Sequence, residues 1–286
     1  MNGIELSAAL RRGRRVYGTC IVSPSPRWPG MIAGLGLDFV FLDTEHIPLQ
    51  RDQLSWMCQA YAGLNLAPLV RIPKPDPYLA CMALDGGAAG VIAPYVESVE
   101  QVRELRGAVK FRPLKGRRLE RMLEGREVLE DELADYLAEM NAGRLMIVNI
   151  ESIPALEALD DILDVPDIDA LLIGPHDLSL NLGIPEDYGH PKFNEAISTI
   201  IRKARAKNVG VGLHFSFGIE HEIRWAQEGA NLILHSSDYF VCRDGLTADL
   251  NTFRNALGDA PGNAEPHSGG AGAAGQLGKP CTEDAI

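Results

Sequence analysis

The chain has 286 residues, 46% of them hydrophobic, and a formal net charge of −12. That surplus of carboxylates excludes a nucleic-acid surface, which needs clustered Lys and Arg to neutralise phosphates, and no apolar run approaches the roughly 20 residues of a membrane span. The length admits two small domains or one large α/β barrel, and the even strand-helix alternation favours one domain. Five scattered cysteines, Cys20, Cys58, Cys81, Cys242 and Cys281, form no CxxC pair, and the N-terminus has no apolar signal-peptide core; both predict reduced thiols in the cytoplasm.

A short N-terminal helix leads to a first expected strand over 16–22, a Ser-Pro-Ser-Pro turn and a helix over 28–35. The next strand, 39–42, delivers Asp43, Thr44, Glu45 and His46 before a helix over 49–61. A third strand, 67–70, ends at Arg71, and a proline-rich turn starts a helix that runs to Leu84. After the strand 91–93, Ser98 and Gln101 have capping-box spacing for a helix to Val109. Residues 110–143 are the least regular: a basic loop with Lys115, Arg117, Arg118 and Arg121, then a long charged helix to Met140.

The stretch 145–183 carries the strongest chemical signal. Two apolar runs, 145–150 and 171–173, flank an amphipathic helix pattern, which is a β-α-β unit. Neighbouring parallel strands lie about 4.8 Å apart, so Glu151 and Asp177, just past the two strands, can reach one cation. Oxygen ligands suit a hard divalent metal, which needs few protein carboxylates when substrate and water complete its shell. The competing reading makes both residues helix caps, with Asp177 on a helix over 178–182; Ser152 is the better cap beside Glu151. A helix over 191–207, a strand over 209–213 ending at His214, a helix over 219–228, a strand over 232–234 ending at His235 and a helix over 247–257 complete the set. Eight strand-helix repeats predict a (β/α)8 TIM barrel over 1–258, with its site at the C-terminal strand ends. His46, Arg71, Glu151, Asp177, His214 and His235 all fall at that face. Residues 259–286 lack apolar periodicity and are expected to be a disordered tail, so His267 and Cys281 carry no catalytic weight. No lysine stands at a buried strand end, which disfavours a Schiff-base aldolase.

Five segments in order, FLDTEH (41–46), LVRIP (69–73), ALDGGAAGVIAPYV (83–96), NIES (149–152) and IGPHDLSLNLG (173–183), resemble the HpcH/HpaI family of metal-dependent, class II pyruvate aldolases. The resemblance covers roughly 5–257. It implies reversible retro-aldol cleavage of a 4-hydroxy-2-oxo acid to pyruvate and an aldehyde. It further implies that Glu151 and Asp177 hold Mg²⁺, Mn²⁺ or Co²⁺, that Arg71 holds the developing enolate oxygen, and that His46 is the base, acting through water. Asp85 would polarise His46 across a subunit interface of a homo-oligomer, a trimer or hexamer, while Gly174 and Pro175 would line the keto-acid carboxylate. The chemistry fits these residue types, because an enolate at neutral pH needs preplaced positive charge and a base that titrates near working pH.

The sequence departs from the family pattern at several places. Asn149 stands where glutamine is common, and FRPLKGRRLE (111–120) lacks a GxRGxG form. His176, His214 and His235 are extra imidazoles, expected to meet a carboxylated or hydroxylated second substrate, in part as imidazolium. They leave room for a condensing enzyme on the same barrel, citrate-synthase-like, taking oxaloacetate and an acyl thioester. A non-catalytic ligand-binding barrel is disfavoured by the intact set of Arg71, His46, Glu151 and Asp177.

Overall fold

The computed structural model describes residues 1–259. Eight strands form in chain order: β1 Val16–Cys20, β2 Phe39–Asp43, β3 Ala67–Arg71, β4 Gly90–Ala93, β5 Leu145–Ile150, β6 Ala170–Ile173, β7 Gly210–Phe215 and β8 Leu232–Ser237. All pair in parallel with their sequence neighbours, and β8 returns to β1, closing a barrel. The strands read as unbroken apolar runs because both faces are covered. Val40, Leu42, Val70, Val91, Val148, Leu171, Val211 and Leu213 pack outward into the core shared with the helices. Phe39, Phe41, Leu69, Ile147, Leu172 and Leu234 are equally buried but outside that cluster, and they fill the lumen. Space there is tight: a Cβ on Gly18 would lie 2.4 Å from the Phe39 ring.

The helices follow from the caps and periodicity of the sequence. α1 Gly3–Arg11 precedes β1, α2 Trp28–Ile32 and α3 Arg51–Gly63 follow β1 and β2, and α4 Pro77–Asp85 follows β3. α5 Val99–Lys110 has the expected Ser98/Gln101 capping box. The span 116–140 departs from expectation: the basic loop winds into α6 Gly116–Leu123 ahead of α7 Asp131–Met140. There Arg118 and Arg121 pair locally with Glu127, which neutralises part of the basic run at the surface. The helix between β5 and β6 divides at Ala158 into α8 Ile153–Glu157 and α9 Leu159–Asp164. α10 Pro175–Asn181 starts earlier than its apolar pattern predicts because Pro175 takes the first helical position. α11 Pro191–Ala206 and α12 Ile219–Glu228 flank β7.

The last helix, α13 Asp238–Leu257, begins well before the expected 247. The barrel is one compact unit, Met1–Asp238, and the described residues from Tyr239 onward belong to a second. The tail expectation for 260–286 lies outside the described residues. No described helix is long and apolar enough to cross a membrane.

Candidate active site

Strand ends β2, β3, β5 and β6 bring acidic and basic side chains to one face of the barrel. Asp43 and Arg71 are register partners. Arg71 donates from Nε and Nη2 to the two oxygens of the fully buried Asp43, at 2.8 and 2.6 Å. Burial alone would raise the Asp43 carboxyl, but the paired guanidinium outweighs it and holds Asp43 below its usual range. Glu45 Oε2 lies 3.2 Å from Arg71 Nε, and the Phe41 ring lies under the guanidinium, with 5.3 Å from Cζ to the centroid. The guanidinium is therefore fixed, and among the described residues no hydrogen bond occupies its Nη1 edge.

Glu151 is 3% exposed. Its Oε1 accepts the Tyr95 backbone N–H at 2.5 Å, and its Oε2 accepts from Asn149 Nδ2 at 3.2 Å. Burial raises its pKa, the Tyr95 bond opposes that rise, and the nearby charge of Asp177 adds to it. Gly174 is required here, since a Cβ at that position would fall 2.0 Å from Glu151 Oε2. The capping alternatives do not hold: Ser152 Oγ, not Glu151, caps α8, and Asp177 lies inside the first turn of α10, whose N-terminus has no side-chain cap. Glu45 is pushed up to about 7, first by burial and then, against the pull of Arg71, by Glu151, Asp43 and Asp177. Four carboxylates thus share one field with a single guanidinium.

That imbalance is the test of whether a cation fits. Among the described residues no three His, Cys, Asp or Glu side chains form a complete protein cage, but a Mg²⁺-like ion takes one or two carboxylates and fills its shell with water and substrate. Glu151, buried and short of positive charge, and Asp177, acting on it from α10, provide such a pair. Asn149 Oδ1, buried and without a partner, adds an acceptor beside them. The residues present fit a hard divalent cation.

Residues 21–245 match the HpcH/HpaI aldolase/citrate lyase family. The chain belongs to that family. Over 246 residues, 86% of this chain and 91% of the relative, it is 31% identical to the 2-keto-3-deoxy-L-rhamnonate aldolase of Escherichia coli K12. Its structure is similar to that of an HpcH/HpaI aldolase from Desulfitobacterium hafniense, with TM-score 0.76 and 27% identity over 90% of this chain and 98% of the other. It is similar also to the citrate synthase SbnG, with TM-score 0.75 and 26% identity over 89% and 99% of the two chains. As an HpcH/HpaI aldolase the chain is a metal-dependent carbon-carbon lyase.

The fold places the other expected HpcH/HpaI site residues unevenly. His46 stands at the mouth with its side chain 47% exposed, Nε2 3.7 Å from Glu45 Oε2; burial, then Arg71, lower its pKa. His176, in the first turn of α10, has Nδ1 3.4 Å from Glu186 Oε1. Two histidine expectations need correction. His214 lies on β7 against Phe41, its Nε2 3.1 Å from the Ser236 carbonyl oxygen. Burial drives its pKa down to about 4, so it is no imidazolium at neutral pH. His235 does not open into the mouth: its Nδ1 lies 2.6 Å from Glu222 Oε2 on α12, in the outer layer. Strand alternation explains this, since β8 sends Leu234 inward and the next residue outward.

Asp85 ends α4, at the opposite end of the barrel from the mouth, with its side chain 69% exposed and ion-paired to Arg112 at 2.9 Å. Within one chain it does not reach His46. Asp43 and Glu45 belong to the site although the spacing reading did not choose them; their signal was two carboxylates two residues apart at a strand end, next to an arginine-bearing strand.

Proposed function

We propose that this chain catalyses reversible aldol cleavage of a 4-hydroxy-2-oxo acid to pyruvate and an aldehyde, with Glu151 and Asp177 as the protein ligands of Mg²⁺, Mn²⁺ or Co²⁺. The observation that carries the reading is the buried cluster of Asp43, Glu45, Glu151 and Asp177 at the strand ends with the one guanidinium of Arg71, a surplus of carboxylates that a bound cation would balance. A divalent cation bound there supplies fixed charge that polarises the keto acid.

The protein's own groups account for the rest. His46, neutral at working pH because its pKa is lowered, takes the proton of the C4 hydroxyl, through water. The C3–C4 bond then breaks, its electron pair becomes the enolate of pyruvate, and the aldehyde departs. The free Nη1 edge of Arg71 faces the developing oxyanion, a contact of a kind worth about 3 kcal/mol. Asp43 serves by holding that guanidinium still. Protonation at C3 by the acid formed from His46 completes pyruvate. Gly174 and Pro175, at the start of α10, border the keto-acid carboxylate, and Asn149 steadies Glu151 by donating from Nδ2 to its Oε2. Asp85 acts only from a neighbouring copy, which makes a homo-oligomer, a trimer or hexamer, part of this reading. Four free cysteines among the described residues suit a reducing cytoplasm.

The likeness to a citrate synthase supports a second reading, condensation of oxaloacetate with an acyl donor. One experiment separates the two. Protein stripped with chelator and dialysed is given each metal, then assayed for pyruvate-methyl exchange in D2O and for aldol and acyl-thioester turnover. We expect exchange and aldol turnover to vanish on stripping and return with metal. Full activity in excess chelator would overturn the metal reading, and thioester turnover without aldehyde dependence would favour condensation.

A further inference from the structure

Beside the two carboxylates stands a pair of side chains that none of the proposed steps uses. Tyr95, just beyond β4, has φ of +49°, a left-handed conformation that a bulky residue rarely adopts. Such strain persists only where surrounding bonds hold it, and it concentrates at functional sites. Here the turned backbone aims the Tyr95 N–H at Glu151 Oε1, at 2.5 Å. The phenol oxygen accepts a hydrogen bond from Asn181 Nδ2 at 3.2 Å. The same Nδ2 lies 3.1 Å from the Asp177 carbonyl oxygen and 3.4 Å from the Glu151 carbonyl oxygen. The two carbonyl oxygens can only accept, so they fix which end of the Asn181 amide carries nitrogen.

We propose that Tyr95 and Asn181 form a clasp that presets Glu151 and Asp177 for a divalent cation, making both positioning residues of the metal centre. This rests on the metal reading above and adds to it. Glu151 follows β5 and Asp177 lies on α10 after β6, so their carboxylates sit on two separate segments. Asn181 binds the backbone of each carboxylate-bearing residue, and through the phenol it also reaches the loop after β4. Three successive strand ends are thereby tied at one amide. The Tyr95 N–H selects one orientation of the Glu151 carboxylate and leaves Oε2 for Asn149 and the cation. Groups that orient ligands in this way govern affinity about as strongly as a ligand's own chemistry, with losses of roughly 10- to 100-fold when removed.

The test is direct Mn²⁺ binding, read by the loss of free-ion EPR signal, on the full chain without substrate. Asn181→Leu should weaken Mn²⁺ by about 10-fold, Tyr95→Phe by about 2- to 3-fold because only the phenol bond goes, and Asn181→Ser should recover part of the loss through its hydroxyl. Thermal melts without metal check that each variant folds, and the stabilisation added by Mn²⁺ should shrink in the same order. Wild-type affinity in both folded Asn181→Leu and Tyr95→Phe overturns the clasp while leaving the metal site standing. Wild-type protein that binds no Mn²⁺ overturns the metal reading and the clasp with it. If Asn181→Leu fails to fold, Tyr95→Phe and Asn181→Ser decide the question by the same comparison.

Discussion

The two ends of the barrel handle buried charge in opposite ways. At the foot, Asp169 precedes β6 and is 1% exposed. Its Oδ1 accepts from Ser7 Oγ at 2.6 Å and Arg11 Nη2 at 3.1 Å, and its Oδ2 accepts from Lys110 Nζ at 2.6 Å and Met146 N at 2.9 Å. One carboxylate there meets two cations and two further donors. At the mouth, Asp43, Glu45 and Glu151 share Arg71 while Asp177 adds its charge to theirs, and burial, reinforced by these neighbouring carboxylates, raises the pKa values of Glu45 and Glu151. A carboxylate that serves the fold is saturated with partners, whereas those that serve chemistry are left short of positive charge, ready for a ligand that brings it.

The largest effects should come from disrupting the buried ion pairing at each end. Arg71→Lys keeps the charge but loses the fork that grips Asp43, so kcat should fall about 100-fold with Mn²⁺ affinity retained; an unchanged kcat would remove Arg71 from the oxyanion role. At the foot, Asp169→Ala leaves Lys110 and the Met146 N–H without their partner, and should lower unfolding free energy by about 3 kcal/mol in urea melts. The kcat of the folded fraction should stay at the wild-type value. A catalytic loss at Asp169 matching that at Arg71 would erase the distinction between the two ends.

Glu45→Gln tests the surplus of negative charge itself. The folded carboxyl titrates near 7, above the usual 4.5. Folded protein therefore holds a proton that the unfolded chain has released, and stability falls as pH rises between those two values. The substitution should leave stability unchanged below pH 4.5 and raise it above pH 7, by about 1 kcal/mol once screening at this half-buried position is discounted. Saturating Mg²⁺ should shrink that gain, because the cation relieves the same repulsion. Melting curves at pH 4.5 and 8 with equal Glu45→Gln effects would mean that neither burial nor the neighbouring carboxylates raise the Glu45 pKa.

The barrel was legible because its strands are buried on both faces and read as short apolar runs, each followed by a helix and three of them, β3, β4 and β5, by a helix with a side-chain cap. Glu151, Asp177, Arg71 and His46 were legible as polar residues at strand ends. Asp43 was harder to assign, since its role is to grip Arg71 from the neighbouring strand, a relation that depends on register. Tyr95 was hidden for a different reason: it acts through its backbone N–H, and nothing in a side-chain pattern reports a positive φ. His235 misled because position along a strand says which end a residue reaches, but a shift of one residue decides which face it takes. His214 reaches the right end, yet burial keeps it neutral.

Of the three extra imidazoles, then, only His176 remains suited to the second substrate. It lies one residue before Asp177 in the first turn of α10, close enough to His46 for the two to interact electrostatically. Its Nδ1 is buried without a hydrogen-bond partner, 3.4 Å from Glu186 Oε1. Nε2 is the ring nitrogen left to meet a hydroxyl on the incoming aldehyde, since either ring nitrogen can donate or accept according to its tautomer. A neutral hydrogen bond is worth about 0.5–1.5 kcal/mol, so His176→Ala should lower kcat/KM for glyceraldehyde about 2- to 10-fold relative to propionaldehyde. Deuterium exchange at the pyruvate methyl should be unaffected, because that step involves no aldehyde. His214→Leu is the control: its imidazole packs on Phe41 and bonds a backbone carbonyl, so the two aldehydes should suffer in equal proportion. If His176→Ala also reduces both aldehydes equally, its imidazole shapes the loop and selectivity for hydroxylated aldehydes resides elsewhere at the mouth.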